Sequence, residues 1–429
     1  MRRPASGARR ITVVVLASIV AIVLTACTPY SSTGPRLPTQ AQGGLSSDIR
    51  KKLDAAVTDA MKLSGASAAM VGVWAPWAGS WVSGLGKTTA KGSAPVSADM
   101  RFRIADNTMP ITCTVLLALV DEGKVGLDDQ VSKYLPGFVG VDGVTLRELC
   151  QNTSGIGDYV GALNAEFVNN PTRQWPKLEL VSDGIATAPF GRPGEKFGLS
   201  ATNFVLLGMA LESATGSGWQ DLYQKYVFGR LGMTSSSLPS SAEFDVPGKH
   251  PAGYTTALDA AGAPVCGTVV DVSRLSPSMG TTAFGVVSTV TDLKAFAQSL
   301  ATGSLLSERS AKAQATGISV GASWHMYGLG MTMLGPLRGS VGAMPGYLSA
   351  MFSDPTSGLT VVVALNNSTS GEAFIQALTQ RLVSIVAKAP AEGKGAKVVT
   401  GLPWSEEQAV AALQASTVCP PAPSPAPTP

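Results

Sequence analysis

Histidine and cysteine are scarce in this chain. Of its 429 residues, two are histidine and five are cysteine. His250 and His325 lie far apart in the sequence, and no group of cysteines and histidines has the spacing of a zinc site. This scarcity argues against the chemistry of a zinc hydrolase, and we expect no cofactor.

Charged side chains are also few, at 14% of the chain. The formal net charge is +3, but residues 1–26 contain four arginines and no acid. Without that segment the chain has 28 basic and 29 acidic residues, a net charge of −1. This balance gives no electrostatic argument for nucleic acid as a partner, so we expect none. A chain of this length and composition favours a compact α/β protein with a sizeable core.

The first 26 residues have the pattern of an export signal. Four arginines precede an apolar run from Ile11 to Leu24, which is short for a helix that must span a bilayer with about 20 residues. The run ends in Leu-Thr-Ala-Cys, which resembles a bacterial lipobox. We therefore predict a signal peptide over residues 1–26, with Cys27 lipidated (palmitate) and anchored to the outer face of the cytoplasmic membrane. A plain signal peptide and an uncleaved anchor are the alternatives.

Four cysteines remain if Cys27 is lipidated, and four cysteines permit three complete pairings. Cys113 and Cys150 lie in apolar segments, so we interpret both as ordinary buried thiols. Cys266 and Cys419 lie in polar or proline-rich surroundings. A disulfide between these two is our hypothesis for an exported protein.

Composition divides the rest of the chain into three parts. Residues 27–45 are rich in serine, threonine, proline and glycine, which predicts a flexible tether. Residues 46–390 alternate between helical and strand patterns and are predicted to form one domain. Residues 391–429 form a C-terminal extension, in which a short helical pattern precedes a proline-rich tail.

The stretch from Phe102 to Gly137 is the most informative part of the domain. Residues 102–104 end an extended run, and Ile111 to Val120 is mostly apolar, which predicts a buried helix. Asp106 is predicted to cap that helix. The helix N-terminus, with its free N–H groups, would then lie at a strand–turn junction.

This stretch resembles the nucleophile region of serine β-lactamases and penicillin-binding-protein-like esterases of the class C type. The family pattern is F-R-I-(G/A)-S-x-(T/S)-K, then a long apolar helix, then D-E-G-K-L-x-L-D-D-P-V-x-K-Y-L-P. Residues 102–105 and 121–136 follow it. Residues 193–216 resemble the family's segment around Y-x-N, and residues 339–347 resemble its third motif, H-x-G-x-x-P-G-(Y/F) or K-T-G.

The resemblance covers nearly all of residues 46–390 and implies a fold. It implies an α/β (α+β) protein of the β-lactamase/transpeptidase type, with an antiparallel sheet flanked by helices. The sheet lobe would comprise about residues 46–105 and 285–390. An inserted, mostly helical lobe would comprise about residues 106–284.

The family's catalytic positions hold other residues in this chain. In the family a serine is activated by a lysine and a tyrosine, and a cation or a histidine holds the substrate carboxylate. The matching positions, for serine, lysine, tyrosine, asparagine and the cation in turn, are Asp106, Met109, Leu199, Ala201 and Ser340. The glycine of the third motif is retained as Gly342. No S-x-x-K sequence occurs anywhere in the chain, so a shifted alignment does not restore the site.

These replacements predict a catalytically inactive member of the family, a pseudoenzyme. It would be a binding or scaffolding lipoprotein of the cell envelope, with peptidoglycan fragments or envelope proteins as partners. One alternative is an esterase or peptidase with a relocated nucleophile, for which the candidates are Thr108, Cys113 and Ser200, with Asp106 as general base. Another is a structural lipoprotein that acts through its tether and tail.

Overall fold

The computed structural model describes residues 36–259, 262–391 and 397–420. The predicted signal peptide, Cys27 and the proline-rich tail after residue 420 lie outside these ranges. Twelve strands occur in the described chain: β1 Ala68–Ala75, β2 Gly79–Gly86, β3 Phe102–Arg103, β4 Tyr254–Leu258, β5 Pro264–Asp271, β6 Val287–Ser288, β7 Ile318–Ser319, β8 His325–Tyr327, β9 Thr332–Leu334, β10 Leu337–Met344, β11 Tyr347–Ser353 and β12 Thr360–Leu365.

Thirteen α-helices occur in the same ranges. They are α1 Ser47–Ser64, α2 Thr108–Asp121, α3 Leu146–Gln151, α4 Tyr159–Asn169, α5 Lys177–Ala186, α6 Ala201–Thr215, α7 Trp219–Tyr223, α8 Gly229–Leu231, α9 Thr281–Phe284, α10 Val290–Thr302, α11 Glu308–Gln314, α12 Gly371–Val386 and α13 Glu406–Ala415. Short 3-10 turns at Ala105–Asn107, Val131–Lys133 and Pro277–Met279, and a π-helical turn at Gln224–Phe228, complete the helical structure.

Eight strands form one antiparallel sheet in the order β2-β1-β12-β11-β10-β9-β8-β7. The first and last thirds of the domain therefore meet in the sheet, where β1 pairs with β12. Most of the intervening chain is helical, apart from the separate β4–β5 hairpin and the short β3–β6 pair. This is the mixed α/β fold, with an antiparallel sheet flanked by helices, that the resemblance implied.

Side chains alternate between the two faces of the sheet and build two apolar cores. On β1, Met70 and Trp74 point to the core shared with α10 and the helical lobe. Val71 and Val73 point to the opposite core, which the sheet shares with α1 and α12. This alternation is the period of two residues that a strand imposes. The inner strands β1, β11 and β12 are therefore buried on both faces.

The C-terminal extension packs on α12. Helix α13 begins after Ser405, whose hydroxyl accepts a hydrogen bond from the Gln408 N–H at 3.2 Å. Ala409 and Leu413 are buried in the core that α12 also lines. Within the described ranges, no helix combines the length and the apolar character that crossing a bilayer requires.

A tight turn and two disulfides constrain the chain around the sheet. Pro345 and Gly346 divide residues 338–353 into the β10–β11 hairpin, because proline lacks an N–H and Gly346 has φ of +96°. Cys113 and Cys150 were predicted to be free thiols, but they form a disulfide with 5.9 Å between their Cα atoms. A second disulfide joins Cys266 on β5 to Cys419 in the C-terminal extension.

Candidate functional site

Asp106 lies in a tight turn between β3 and α2. The 3-10 turn at residues 105–107 contains it, and Ala105 before it has φ of +51°, a left-handed conformation that is uncommon for a residue with a side chain. Strand β10 runs directly against this turn. A Cβ atom added to Gly342 would lie 2.4 Å from the Asp106 nitrogen and 3.1 Å from the Asn107 nitrogen. The glycine therefore permits the close approach of strand and turn.

Replacing Gly342 with alanine is expected to destabilise the fold by about 1–3 kcal/mol, the usual cost of overpacking a core. The contacting atoms are two backbone nitrogens of the turn and the Cβ of Ala105, none of which can move aside as the end of a flexible side chain would. Urea unfolding measures the loss. Gly161→Ala in α4 is the matched control, since its new Cβ would meet no atom within 4 Å. Equal stability of the two variants would contradict the prediction.

The Asp106 side chain turns toward the sheet and does not cap α2. Its carboxylate accepts a hydrogen bond of 3.0 Å from the Ala343 N–H on β10, and no side-chain cap bond is present where α2 begins. The prediction of an N-cap was therefore wrong. The strand offers an N–H donor that the local sequence does not reveal, and the 3-10 turn aims the carboxylate at it.

Glu372, in the first turn of α12, places a second carboxyl group against Asp106. The two carboxyl groups lie next to each other and interact electrostatically, and both residues are half-buried. Burial raises the pKa of Asp106 well above its usual range, and the neighbouring charge of Glu372 raises it further. Burial also raises the pKa of Glu372. The pair therefore shares a proton at a pH where isolated carboxyl groups are ionised, and it titrates as a unit.

The free energy of unfolding is expected to fall as pH rises above the ordinary carboxyl range. The folded pair retains a proton that the unfolded chain has released, so raising the pH favours unfolding until the folded pair has titrated. Asp106→Asn should flatten this dependence, although Asp158, whose charge also raises the pKa of Glu372, remains. Melting temperatures between about pH 4 and 9 test this. Parallel curves for the variant and the parent would contradict it, with the exposed Asp221→Asn as control.

The carboxyl pair lines a cavity of about 310 Å³ at the junction of the sheet and the helical lobe. The cavity walls combine apolar, aromatic and polar side chains. Its lining residues are Asp106, Met109, Phe197, Leu199, Val320, His325, Tyr327, Thr332, Ser340, Val341, Glu372, Ala373 and Gln376. A volume of this size matches the lower end of the range for small-molecule sites.

Four of the family-equivalent positions meet in this cavity. Met109, Leu199 and Ser340 line it together with Asp106, although the four residues come from three separate segments of the chain. Ala201 is buried at the start of α6 and does not line the cavity, and Gly342 lies behind the Asp106 turn.

Tyr327 and His325 line the same cavity from β8, and the sequence motifs pointed to neither. The Tyr327 hydroxyl accepts a 3.0 Å hydrogen bond from the Asn152 amide. Asn152 in turn accepts bonds from the Ser200 N–H at 3.1 Å and the Asn203 amide at 2.9 Å. This network fixes the Tyr327 phenol group in the cavity wall. The family's own tyrosine position is occupied by Leu199 in this chain. A lone tyrosine in a short strand gives no signal in a single sequence.

The three candidate nucleophiles are occupied elsewhere, and none lines the cavity. The Thr108 hydroxyl donates to the Ala105 carbonyl at 2.9 Å and is buried. Cys113 is held in its disulfide. The Ser200 hydroxyl is buried and donates to the Gly157 carbonyl at 2.9 Å. None of the three is therefore positioned in this structure to replace the missing serine.

Curated relatives match part of this chain. Penicillin-binding protein 4* of Bacillus subtilis is 29% identical over 144 residues, which is 33% of this chain and 31% of that protein. A D-aminopeptidase of Cereibacter sphaeroides is 32% identical over 160 residues, which is 37% of this chain and 29% of that protein. The matched segments thus span about a third of either relative.

Solved structures match most of the fold. A D-stereospecific amidohydrolase from Streptomyces sp. superposes with a TM-score of 0.64 at 27% identity, over 75% of this chain and 94% of that one. The D-amino acid amidase of Ochrobactrum anthropi SV3 superposes with a TM-score of 0.68 over 79% and 99% of the two chains. At 23% identity, the second match shows the fold alone.

These comparisons contradict the prediction that the chain is a pseudoenzyme. Proteins that share its fold and part of its sequence are named as D-aminopeptidases and amidohydrolases. The prediction rested on the five replaced catalytic positions, those of the serine, lysine, tyrosine, asparagine and cation. It did not consider a second carboxyl group reaching the same cavity from α12.

The whole arrangement of sheet, helical lobe and cavity falls within one recognised family. The Beta-lactamase family model matches residues 53–384, which include both Asp106 and Glu372. The chain therefore belongs to the Beta-lactamase family.

Proposed function

We propose that this protein hydrolyses an amide bond with a water molecule activated by the Asp106–Glu372 carboxyl pair. The observation that carries the proposal is the placement of these two carboxyl groups as interacting neighbours in the wall of one cavity. A pair of carboxyls that shares one proton contains a base and an acid side by side. Both roles are needed for adding water to an amide.

The reaction balances within the pair and its substrate. The ionised carboxylate removes a proton from water as the water oxygen bonds to the amide carbon. The protonated carboxyl gives its proton to the carbonyl oxygen. Collapse of the resulting intermediate breaks the C–N bond, and the nitrogen leaves with a proton returned through the pair. The products are a carboxylic acid and an amine, and the pair again shares one proton.

The contacts of Asp106 favour this route over an acyl-enzyme. Serine chemistry in this kind of site needs a backbone N–H that is free to stabilise an oxyanion. The Ala343 N–H, beside the turn, donates to the Asp106 carboxylate. That same bond holds Asp106 in place, and the Glu372 carboxyl group lies against it from the side of α12.

The relatives support an amide as the substrate. Amidohydrolase and aminopeptidase activities, which their names state, both cleave a C–N bond. We propose the same bond type here. The stereochemistry is open to direct measurement with D- and L-amino acid amides.

The test is turnover by the purified mature protein on a panel of amino acid amides, with release of amine or ammonia as the readout. We expect turnover that a fluorophosphonate does not inhibit, because no serine ester forms. Intact-mass spectra after incubation with a fluorescent penicillin and with the fluorophosphonate should show no adduct. Absence of turnover on every amide would overturn the proposal. A stoichiometric adduct would overturn the water mechanism and identify a nucleophile.

We also propose that the protein acts outside the cell, anchored through Cys27, where peptidoglycan fragments or envelope proteins would be available as partners. The support is the lipobox-like sequence that ends the apolar run of residues 11–24. Metabolic labelling with palmitate, followed by fractionation, tests the anchor. Cys27→Ala should abolish labelling, and an unlabelled parent protein would refute the proposal.

A further inference from the structure

We propose that the cavity selects ligands that carry a cationic amine and no carboxylate. This inference deepens the proposed function, on which it rests for the site's role, by naming the class of compound bound there. It depends on the charges and surfaces of the cavity walls. It therefore makes predictions about binding that need no turnover.

The cavity walls contain two acidic side chains, and no lysine or arginine lies among the described lining residues. Burial raises the pKa of Asp106 well above its usual range. Burial also raises the pKa of Glu372, whereas contact with Asp106 acts to lower it, so the negative charge of the pair faces the cavity on Glu372. Burial lowers the pKa of His325, so this half-buried ring is neutral and supplies no compensating cation near neutral pH. A carboxylate ligand would therefore meet a like charge, while an amine would meet an opposite one.

The residue at the third-motif position also disfavours a ligand that carries a carboxylate. In the enzymes that the chain resembles, a cation or histidine at this position holds the substrate carboxylate. Ser340 occupies the position here, is buried, and donates its hydroxyl to the Val341 carbonyl at 3.2 Å. It offers neither charge nor a free donor to an anion. Compared with those enzymes, this cavity lacks the cation that would hold a carboxylate, and its two acids would instead attract an ammonium group.

The remaining walls suit an aromatic or apolar body. The rings of Phe197 and Tyr327 lie in one wall, with centroids 5.0 Å apart. Met109 and Leu199 supply apolar surface on the same cavity. Ring faces also attract cations that pass near them. A single aryl group with a short aminoalkyl arm is of the size that a cavity of about 310 Å³ admits.

Binding of an amine should release the proton that the pair shares. An ammonium group favours the doubly ionised pair, so the pKa of the pair falls when the ligand binds. Affinity should therefore rise with pH through the titration of the free pair. It should fall again where the ligand's own amine loses its charge. Calorimetry in buffers with different ionisation enthalpies measures this proton release directly.

Three compounds with the same phenyl group and no amide bond provide the test: phenethylamine, 2-phenylethanol and 3-phenylpropionate. Calorimetric titration of the full mature protein at neutral pH is expected to rank the amine about tenfold or more above the alcohol. The propionate should not bind. Asp106→Asn combined with Glu372→Gln should remove the preference for the amine while leaving the affinity for the alcohol similar. Glu308→Gln, at an exposed acid on α11, should behave as the parent.

Equal affinities for amine and alcohol, or tight binding of the propionate, would overturn the inference. Its failure is distinguishable from failure of the proposed function. A protein that binds phenethylamine selectively but hydrolyses no amide would refute the function alone. A protein that hydrolyses amides but binds the amine no better than the alcohol would refute this inference alone.

Discussion

Asp106→Asn is expected to lower kcat for amide hydrolysis by about 10²- to 10⁴-fold, the range for losing one general acid–base group. Asparagine keeps the size and planarity of the side chain, and its carbonyl can still accept the 3.0 Å bond from the Ala343 N–H. It cannot exchange a proton with Glu372, water or the substrate. The loss should therefore fall on kcat, with the fold retained.

Glu372→Gln is expected to lower kcat by a similar factor, because the pair works only when one member is ionised and the other protonated. The double variant should lose little more than either single variant. Groups that act as a unit give strongly non-additive effects, since removing one member already abolishes the function of the other. Additive losses would instead indicate two independent contributions and would contradict a shared mechanism.

Exposed acids supply matched controls for both substitutions. Asp221→Asn on α7 and Glu308→Gln on α11 make the same chemical changes at exposed positions. Both should retain the parental kcat, and all four variants should show cooperative unfolding. If Asp106→Asn retained the parental kcat, the pair would not be the catalytic group. The pH profile of kcat adds a second criterion. The limb that reflects titration of the carboxyl pair should disappear in Asp106→Asn and in Glu372→Gln.

Sequence motifs located much of this cavity because the family scaffold fixes where each motif lies. Asp106, Leu199 and Ser340 come from three separate motifs, and the fold brings them together in the cavity. The antiparallel sheet flanked by helices followed from the same motifs. In both cases the pattern specifies a backbone arrangement, which tolerates the replacement of a catalytic side chain.

The roles of Glu372 and Asp106 in the cavity could not be predicted from the sequence motifs. Glu372 is one acid in the first turn of a late helix, a position where acids commonly stabilise the helix dipole. Only the three-dimensional contact with Asp106 gives it another role. Asp106 was likewise interpreted from local sequence as a helix cap, and the N–H of Ala343 on a distant strand determined its orientation instead. Tertiary contacts decided both cases.

Removal of the Cys113–Cys150 disulfide is expected to lower the free energy of unfolding by about 4 kcal/mol, by the loop-closure estimate for a bond of this span. The two cysteines are 37 residues apart, and both are fully buried. The bond fastens α2, which follows the Asp106 turn, to the end of α3. Replacing both with alanine releases that loop in the unfolded chain. It also leaves space in the core where the two sulfur atoms packed.

Urea unfolding of the double variant Cys113→Ala/Cys150→Ala, compared with the parent under oxidising conditions, measures this loss.

The other disulfide supplies the control, in the double variant Cys266→Ala/Cys419→Ala. Cys266 lies on the exposed strand β5, and Cys419 lies close to the last described residue. The span of 153 residues gives this bond a larger loop-closure contribution. Without the bond, however, the end of the extension can separate in the folded protein while the core stays intact, which offsets that contribution, so a smaller loss is expected. An equal or greater loss from the exposed pair would show that the extension, and not the α2–α3 link, limits unfolding. An unchanged midpoint in the buried variant would show that core packing alone holds α2 against α3.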